Sequence, residues 1–152
     1  MVSYTAMKPR SEARHIALKV LYQIELVETP LDDAFKTALE EVSDRDGRKE
    51  EFARELVKNV LESAAKLDDE LRPYVTADWD YDRLGILERC ILKIAAFEIA
   101  SLEAIPCRVT IDEAVELGKT YIGPDAGRLI NGILHRFATE KDPSGLTQES
   151  KS

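Results

Sequence analysis

The side chains that most often carry chemistry are few in this chain. It has two histidines, His15 and His135, and no HExxH zinc motif, glycine-rich phosphate loop or GxSxG nucleophile turn. Asp112 and Glu113 place two carboxylates at the start of a predicted helix, where the helix dipole stabilises negative charge without any catalysis. The sequence therefore predicts a protein that is not an enzyme and that has no cofactor and no metal site.

The two cysteines, Cys90 and Cys107, match no zinc or redox spacing. Both lie in apolar, helical surroundings. We expect buried thiols in a reducing compartment.

Positive charge is concentrated at the N-terminus. Residues 1–22 carry a net charge of +3, whereas residues 23–82 carry −10. The arm formed by Lys8, Arg10 and Arg14 precedes Tyr22, and cations beside an aromatic ring suit single-stranded RNA, whose phosphates need neutralising and whose bases stack on planar groups. A solvated chain end followed by a core tyrosine would give the same pattern, so both interpretations stay open.

Two glutamates interrupt a very apolar stretch between Arg83 and Leu102. Glu88 and Glu98 lie close to Arg89 and Lys93. Ion pairs within the helix would explain them, and so would an edge that binds a protein partner. The pattern alone does not choose between these explanations.

Helical periodicity defines the elements that must position these residues. We predict helices over about 12–28, 31–42, 49–66 with a kinked continuation to 72, and 83–102, and two more that follow Thr110 and Asp125. Their start signals are Ser11 as an N-cap, Pro30 just before the second helix, a capping box of Thr110 with Glu113, and Asp125 as an N-cap after Gly123 has ended the preceding helix. Asn131-Gly132 is unusual inside a helix unless something packs close or binds there.

The predicted fold class is all-α, with about seven helices in two packed helical bundles. A basic flexible arm (1–11) precedes a helical domain (12–140) that contains an N-terminal bundle (about 12–75) and a C-terminal bundle (about 83–138). Trp79 is expected to plug the junction between them, and the polar tail 141–152 is expected to be disordered. With no apolar run that could span a membrane and no secretory signal at the N-terminus, we expect a cytoplasmic protein.

Three segments resemble the NusB family of bacterial transcription antitermination factors. They are RHIALKVLYQ at 14–23, the stretch from Trp79 to Glu98 with its core ERCILKIAAFE, and the stretch from Ile105 to Leu134 with IPCRVTIDEAVEL and NGIL. The second and third segments together are specific. The resemblance covers about residues 14–138.

The resemblance implies an all-helical, NusB-like fold and a function without catalysis. Proteins of this family pair with NusE, which is also a ribosomal protein of the small subunit. The pair binds single-stranded boxA RNA in ribosomal RNA transcripts and joins the transcription elongation complex with other Nus factors. Some family members self-associate, so a homodimer is a further possible assembly.

The resemblance also implies sites on this chain. The RNA-binding residues by position are Lys8, Arg10, Arg14, Asp125, Arg128 and Leu129. The partner-binding residues are Tyr22 and Glu88.

This chain departs from the family pattern at two places. Ser11 and Glu12 interrupt the basic arm, and Leu129 stands where the family often has an aromatic residue that could stack on a base. The alternative function is a helical protein–protein scaffold that has lost RNA binding.

Overall fold

The computed structural model describes residues 4–75, 80–101 and 104–141, with side chains from residue 9 onward. Over that part of the chain the protein is helical and contains no strand, which confirms the predicted fold class. The helices are α1 (Tyr4–Val27), α2 (Leu31–Leu39), α3 (Arg48–Glu62), α4 (Ala64–Leu71), α5 (Ile86–Ser101), α6 (Cys107–Tyr121) and α7 (Pro124–Lys141), with short 3₁₀ helices at Arg72–Tyr74 and Tyr81–Arg83.

The first compact unit, Met1–Glu62, is built on α1, against which α2 and α3 both pack. The periodicity predicted its core, since Ile16, Val20 and Phe35 are buried. Leu31 and Leu61 fit the same apolar periodicity, but each is exposed.

Helix α1 begins earlier than its sequence signals predicted. Ser11 lies inside the helix rather than at its N-cap, and Pro9 lies inside it too. Pro9 is the sixth residue of the helix and removes one backbone hydrogen bond in its second turn. At the other end, Glu28 adopts a φ of 54° and donates its N–H to the Ile24 carbonyl at 3.0 Å. Pro30 then prevents the helix from continuing.

The second unit, Ser63–Ser152, is organised around α5, which packs against α4, α6 and α7. Six of its apolar or small residues are buried, together with Lys93 and Glu98, which confirms that it is a central helix. Glu98 is 1% exposed, so it does not form a partner-binding edge.

A polar network ties α4 to α5 inside this unit. The Tyr81 hydroxyl donates to Asp68 Oδ1 at 2.5 Å, and Lys93 Nζ lies 3.7 Å from the same oxygen. Lys93 of α5 therefore lies within ion-pair distance of Asp68 of the neighbouring helix.

The starts of α6 and α7 differ from the predicted ones. Helix α6 begins at Cys107 after Pro106, so the capping box of Thr110 with Glu113 is wrong. Thr110 lies one turn inside the helix, where its Oγ1 is buried without a hydrogen-bond partner among the described residues. Helix α7 begins at Pro124, which makes Asp125 a first-turn residue rather than the N-cap.

The close crossing of α6 and α7 depends on two glycines that the sequence did not single out. A Cβ on Gly118 would lie 2.7 Å from Ile130 Cδ1, and a Cβ on Gly127 would lie 2.9 Å from Lys119 Cγ. A Cβ on Gly132 would meet only Arg136 Nη1, at 3.6 Å. The expected close packing is therefore at Gly118 and Gly127 and not at Gly132.

The two compact units divide between Glu62 and Ser63, whereas the predicted bundles (about 12–75 and 83–138) place the junction between residues 75 and 83. The reason is that α4 packs on α5, and that the Tyr74 ring meets Phe137 of α7 edge-on at 5.8 Å. The predicted Trp79 plug and the tail 142–152 lie outside the described residues.

Candidate nucleic-acid and partner interface

The residues of the basic arm lie within α1, where Arg10 is held against an aromatic ring. Its guanidinium carbon lies 4.7 Å from the centroid of the Phe52 ring, and that of Arg48 lies 5.8 Å from the same centroid. Both cation–π contacts orient a guanidinium without neutralising it. The half-buried Phe52 therefore gathers positive charge from α1 and α3 at one place.

The loop before α3 fixes Arg48 and Lys49 at the start of that helix. Asp44 accepts hydrogen bonds from the backbone N–H groups of Lys49 and Glu50 at 3.1 and 3.0 Å. Asp46 accepts one from the N–H of Arg48 at 3.1 Å. These carboxylates satisfy N–H groups that have no partner within the helix.

Sequence reasoning missed Arg48 and Phe52 as possible binding residues. In the sequence, Phe52 fits the apolar period of α3 and is therefore read as a core residue. The signal that could have identified the pair is the i, i+4 spacing of Arg48 and Phe52 directly after an Asp-rich loop.

The three predicted arm residues have different environments. Arg10 is half-buried with its charge oriented by Phe52. Arg14 is 3% exposed, because it lies four residues before the buried Leu18 on the inner face of α1. Its assignment as an exposed RNA contact is therefore corrected to a structural position. The side chain of Lys8 lies outside the described part of the chain.

The interruption of the arm at Glu12 also has a structural role. Its carboxylate forms an ion pair with Lys49, whose ammonium also donates to the Ser43 carbonyl at 2.6 Å. One acidic residue of the arm thus ties α1 to the start of α3.

The connection between α6 and α7 forms an exposed polar rim. Gly123 ends the turn with a φ of 150°, a region that favours glycine, and its N–H reaches the Gly118 carbonyl at 2.9 Å. Asp125 and Arg128 form an ion pair in which both side chains are strongly exposed. Such a pair contributes only about 0–1 kcal/mol, so a phosphate can compete with Asp125 for the guanidinium. Leu129 beside them is half-buried.

Tyr121 lies just before this rim. Burial raises the pKa of its hydroxyl, so the group stays neutral at physiological pH. It is an aromatic residue eight positions before Leu129 in the chain, and sequence reasoning did not select it.

The two predicted partner-binding residues lie in different units. Glu88 is the third residue of α5, and its Oε2 accepts the N–H of Gly85 at 2.6 Å. This is one half of a capping box, so Glu88 has a structural role at the helix start. Tyr22 lines a pocket between α1 and α2.

No group of three or more His, Cys, Asp or Glu side chains within the described ranges could hold a metal ion. None of the helices in these ranges is long and apolar enough to cross a membrane.

Comparisons with known proteins show which proteins this chain resembles. The transcription antitermination protein NusB of Pelotomaculum thermopropionicum is 40% identical over 128 residues, which are 84% of this chain and 88% of that protein. The solved structure of T. maritima NusB superposes with a TM-score of 0.76 at 31% identity, covering 91% of this chain and 96% of the other. A crystal structure of the antitermination factors NusB and NusE in complex with dsRNA gives a TM-score of 0.76 at 27% identity, covering 88% of this chain and 98% of that one.

The sequence pattern of the NusB family matches residues 11–139, which contain the greater part of α1 and nearly all of α7. Because this match extends over most of the chain, and because the close relatives are transcription antitermination proteins, the chain belongs to the NusB family.

Proposed function

We propose that this antitermination factor pairs with a NusE-type ribosomal protein and that the pair binds boxA-type single-stranded RNA of ribosomal RNA transcripts. The observation that carries the proposal is the similarity to the solved NusB–NusE–RNA complex, which extends over 88% of the chain. The protein would then act in the cytoplasm, within an elongation complex that contains other Nus factors.

The oriented charges supply the chemistry for RNA. Arg10 and Arg48 at Phe52 offer two guanidinium groups and a ring edge, and Arg128 offers a third guanidinium that a weak ion pair can release. Phosphates bind the guanidinium groups, while unstacked bases can use planar groups. We propose Lys8, Arg10, Asp125, Arg128 and Leu129 as the RNA-facing set, with Tyr22 and Glu88 toward the protein partner.

The test is a binding titration by fluorescence anisotropy with purified protein, its NusE partner and labelled RNA. We expect weak binding by the chain alone and tighter, salt-sensitive binding by the pair, with boxA RNA preferred over a scrambled strand. A duplex of the same sequence distinguishes recognition of a single strand from recognition of a helix. Equal affinity of the pair for boxA and scrambled strands would contradict the proposal.

A scaffold without RNA binding is the second candidate. Two ion pairs and one buried arginine favour it. Glu12 pairs with Lys49, Asp125 pairs with Arg128, and Arg14 is buried, so the exposed positive charge is smaller than the sequence suggests. This candidate predicts a stable complex with NusE whose RNA affinity does not change in the Arg10→Glu variant.

A further inference from the structure

The first residue of α3, Arg48, presents its guanidinium group to the same aromatic ring as Arg10 of α1. The guanidinium carbons of Arg10 and Arg48 lie 4.7 and 5.8 Å from the centroid of the Phe52 ring. All three side chains are half-buried, so each keeps some surface that a ligand can reach. The ring therefore places a residue from outside the basic arm next to a residue of the arm.

The backbone that carries Arg48 is fixed by the loop before α3. The N–H of Arg48 donates to Asp46 Oδ1 at 3.1 Å, and the next two N–H groups donate to the Asp44 carboxylate at 3.1 and 3.0 Å. These bonds hold the first turn of the helix, and the Phe52 ring restricts the side chain. Less conformational entropy is therefore lost when this arginine binds a ligand than when an arginine of an open loop does.

Neither guanidinium group of this pair has a carboxylate partner among the residues whose side chains are described. The acidic side chains close to the pair in the sequence are engaged elsewhere, since the two aspartates of the loop accept backbone N–H groups. Glu12 pairs with Lys49. Glu50 pairs with Arg54 at 2.7 Å. Two positive charges at one ring repel each other, and an anion bound beside both would relieve that repulsion.

A phosphate of a nucleic-acid backbone is the anion that suits this pair. Guanidinium groups bind phosphate oxygens through parallel hydrogen bonds, and the Phe52 ring already contacts two cations, so the site offers charge rather than a stacking surface. We propose that Arg48 and Arg10 together bind the backbone of the RNA and that Phe52 is their positioning residue. Because phosphates carry no sequence information, this site adds affinity without distinguishing boxA RNA from other strands. The inference deepens the proposed function, on which it rests for RNA as the ligand.

The first test measures RNA binding by the complex with NusE, using fluorescence anisotropy at several salt concentrations. Arg48→Gln should weaken binding by about ten-fold and reduce the slope of log K against log salt by about 0.7, because one phosphate contact is lost. The fold loss should be the same for boxA and scrambled strands. Wild-type affinity and slope in this variant, or a loss confined to boxA RNA, would overturn the inference.

Lys58→Gln is the matched control for the change in charge. Lys58 is exposed on the same helix, ten residues after Arg48, which is about 15 Å along the helix axis. That separation exceeds the screening length of about 8 Å at physiological salt. The control variant should therefore bind both strands like the wild type, and a loss equal to that of Arg48→Gln would reduce the effect to net charge and overturn the inference.

Phe52→Leu tests the positioning role because it changes no charge. It should weaken RNA binding about two- to five-fold while the salt slope stays at the wild-type value, whereas Phe52→Tyr keeps the ring and should bind like the wild type. Urea denaturation of the free proteins shows whether Phe52→Leu is folded. Arg48→Lys is the second variant, since it keeps the charge without the planar group and should also lose affinity at an unchanged slope. Wild-type affinity in both variants would overturn the positioning role.

A titration without NusE and without bases separates this inference from the proposed function. The probe is an abasic oligonucleotide, a sugar–phosphate chain that carries no bases, added to the isotope-labelled protein and followed by NMR. The side-chain Nε–H signals of Arg10 and Arg48 should both shift, and the absence of both shifts would overturn the inference. If both signals shift while the complex with NusE binds boxA and scrambled RNA equally, the proposed function is refuted and the phosphate site is retained.

Discussion

At the scale of single residues, Glu88 has a structural role that can be separated from a binding role. Its carboxylate caps Gly85 at the start of α5, so Glu88→Ala should lower the free energy of unfolding by about 1 kcal/mol. Glu88→Gln keeps the acceptor oxygen and should retain most of that stability. Urea denaturation of both variants beside NusE titrations would show whether the charge matters to the partner. Equal affinity of the wild type and both variants would remove Glu88 from the partner-binding set.

Thr110 is the second residue with a testable role, since its buried hydroxyl has no partner among the described residues. Thr110→Val keeps the shape and removes the polar group, so the free energy of unfolding should rise by about 1 kcal/mol. Thr139→Val is the control, because the Thr139 hydroxyl bonds the His135 carbonyl at 2.7 Å on an exposed face. A Thr110→Val variant less stable than the wild type would mean that the hydroxyl is bonded in solution.

Tyr81 makes the stability of the folded state depend on pH. Burial first, and then the hydrogen bond to Asp68, raise the pKa of its hydroxyl far above the ordinary value. The folded state therefore keeps a proton that the unfolded state loses above about pH 10, so this contribution to stability is complete below that pH and falls as pH rises.

The expected decrease from this group is about 1.4 kcal/mol per pH unit above pH 10. Tyr81→Phe should be less stable at pH 8, because Asp68 loses a donor, and should show a shallower decrease between pH 10 and 11. Urea denaturation across that range measures both quantities. The same alkaline slope in the wild type and the variant would exclude Tyr81 as its source.

At the scale of the elements, the α6–α7 crossing offers a matched pair of glycine variants. Gly118→Ala would press a methyl group against Ile130, which is fully buried and cannot move aside freely. Overpacking of this kind costs about 1–3 kcal/mol, from which the higher helix propensity of alanine subtracts up to about 1 kcal/mol. Gly132→Ala meets only an ordinary contact and should stabilise the protein by about 0.5–1 kcal/mol. Thermal denaturation of both variants tests the pair, and equal shifts would contradict the crossing geometry.

The helices could be predicted from the sequence because their apolar faces repeat at the helical period. Ile16, Val20 and Phe35 are buried for that reason. The ends were harder, since Thr110, Ser11 and Asp125 are all good N-caps in isolation, and burial and neighbouring prolines decided which of them were used. In the sequence, Gly118 and Gly132 both appear as single glycines inside a helix. Only the packing of α6 against α7 shows that Gly118 is crowded and that Gly132 is not.

The candidate site could be predicted only in part, because the periodicity of a sequence does not show which residues of different helices meet. The resemblance identified the arm and the rim, but periodicity could not show that Arg14 is buried. Nor could it show that both Arg10 and Arg48 contact the Phe52 ring, because Arg10 lies about forty positions before Phe52 in the chain.

At the scale of the whole molecule, the distribution of charge matters more than its total. The chain has a net charge of −8 and belongs to the NusB family of antitermination factors, which are not enzymes, so the proposed binding of RNA depends on where the chain presents cations. The structure distinguishes two arginines of the arm that the sequence treated alike.

RNA binding by the complex with NusE should respond differently to these two arginines. Arg10→Ala removes one phosphate contact and should reduce the slope of log K against log salt by about 0.7. Arg14→Ala should leave that slope unchanged and lower the thermal midpoint instead, because Arg14 is 3% exposed. Anisotropy titrations at four salt concentrations measure the slopes. A reduced slope for Arg14→Ala at unchanged stability would restore it to the RNA-binding set.

The buried thiols of α5 and α6 give this protein a built-in reporter of local opening. Cys90 is 1% exposed and Cys107 is 9% exposed, and neither forms a disulfide. A thiol reagent can modify them only when the surrounding helices open, so the labelling rate measures the free energy of that opening. Because Cys107 is the first residue of α6 and Cys90 lies within the central helix, the two rates would compare fraying at a helix end with disruption of the core. If NusE or RNA stabilises this unit, binding would slow the modification of both cysteines without any added probe.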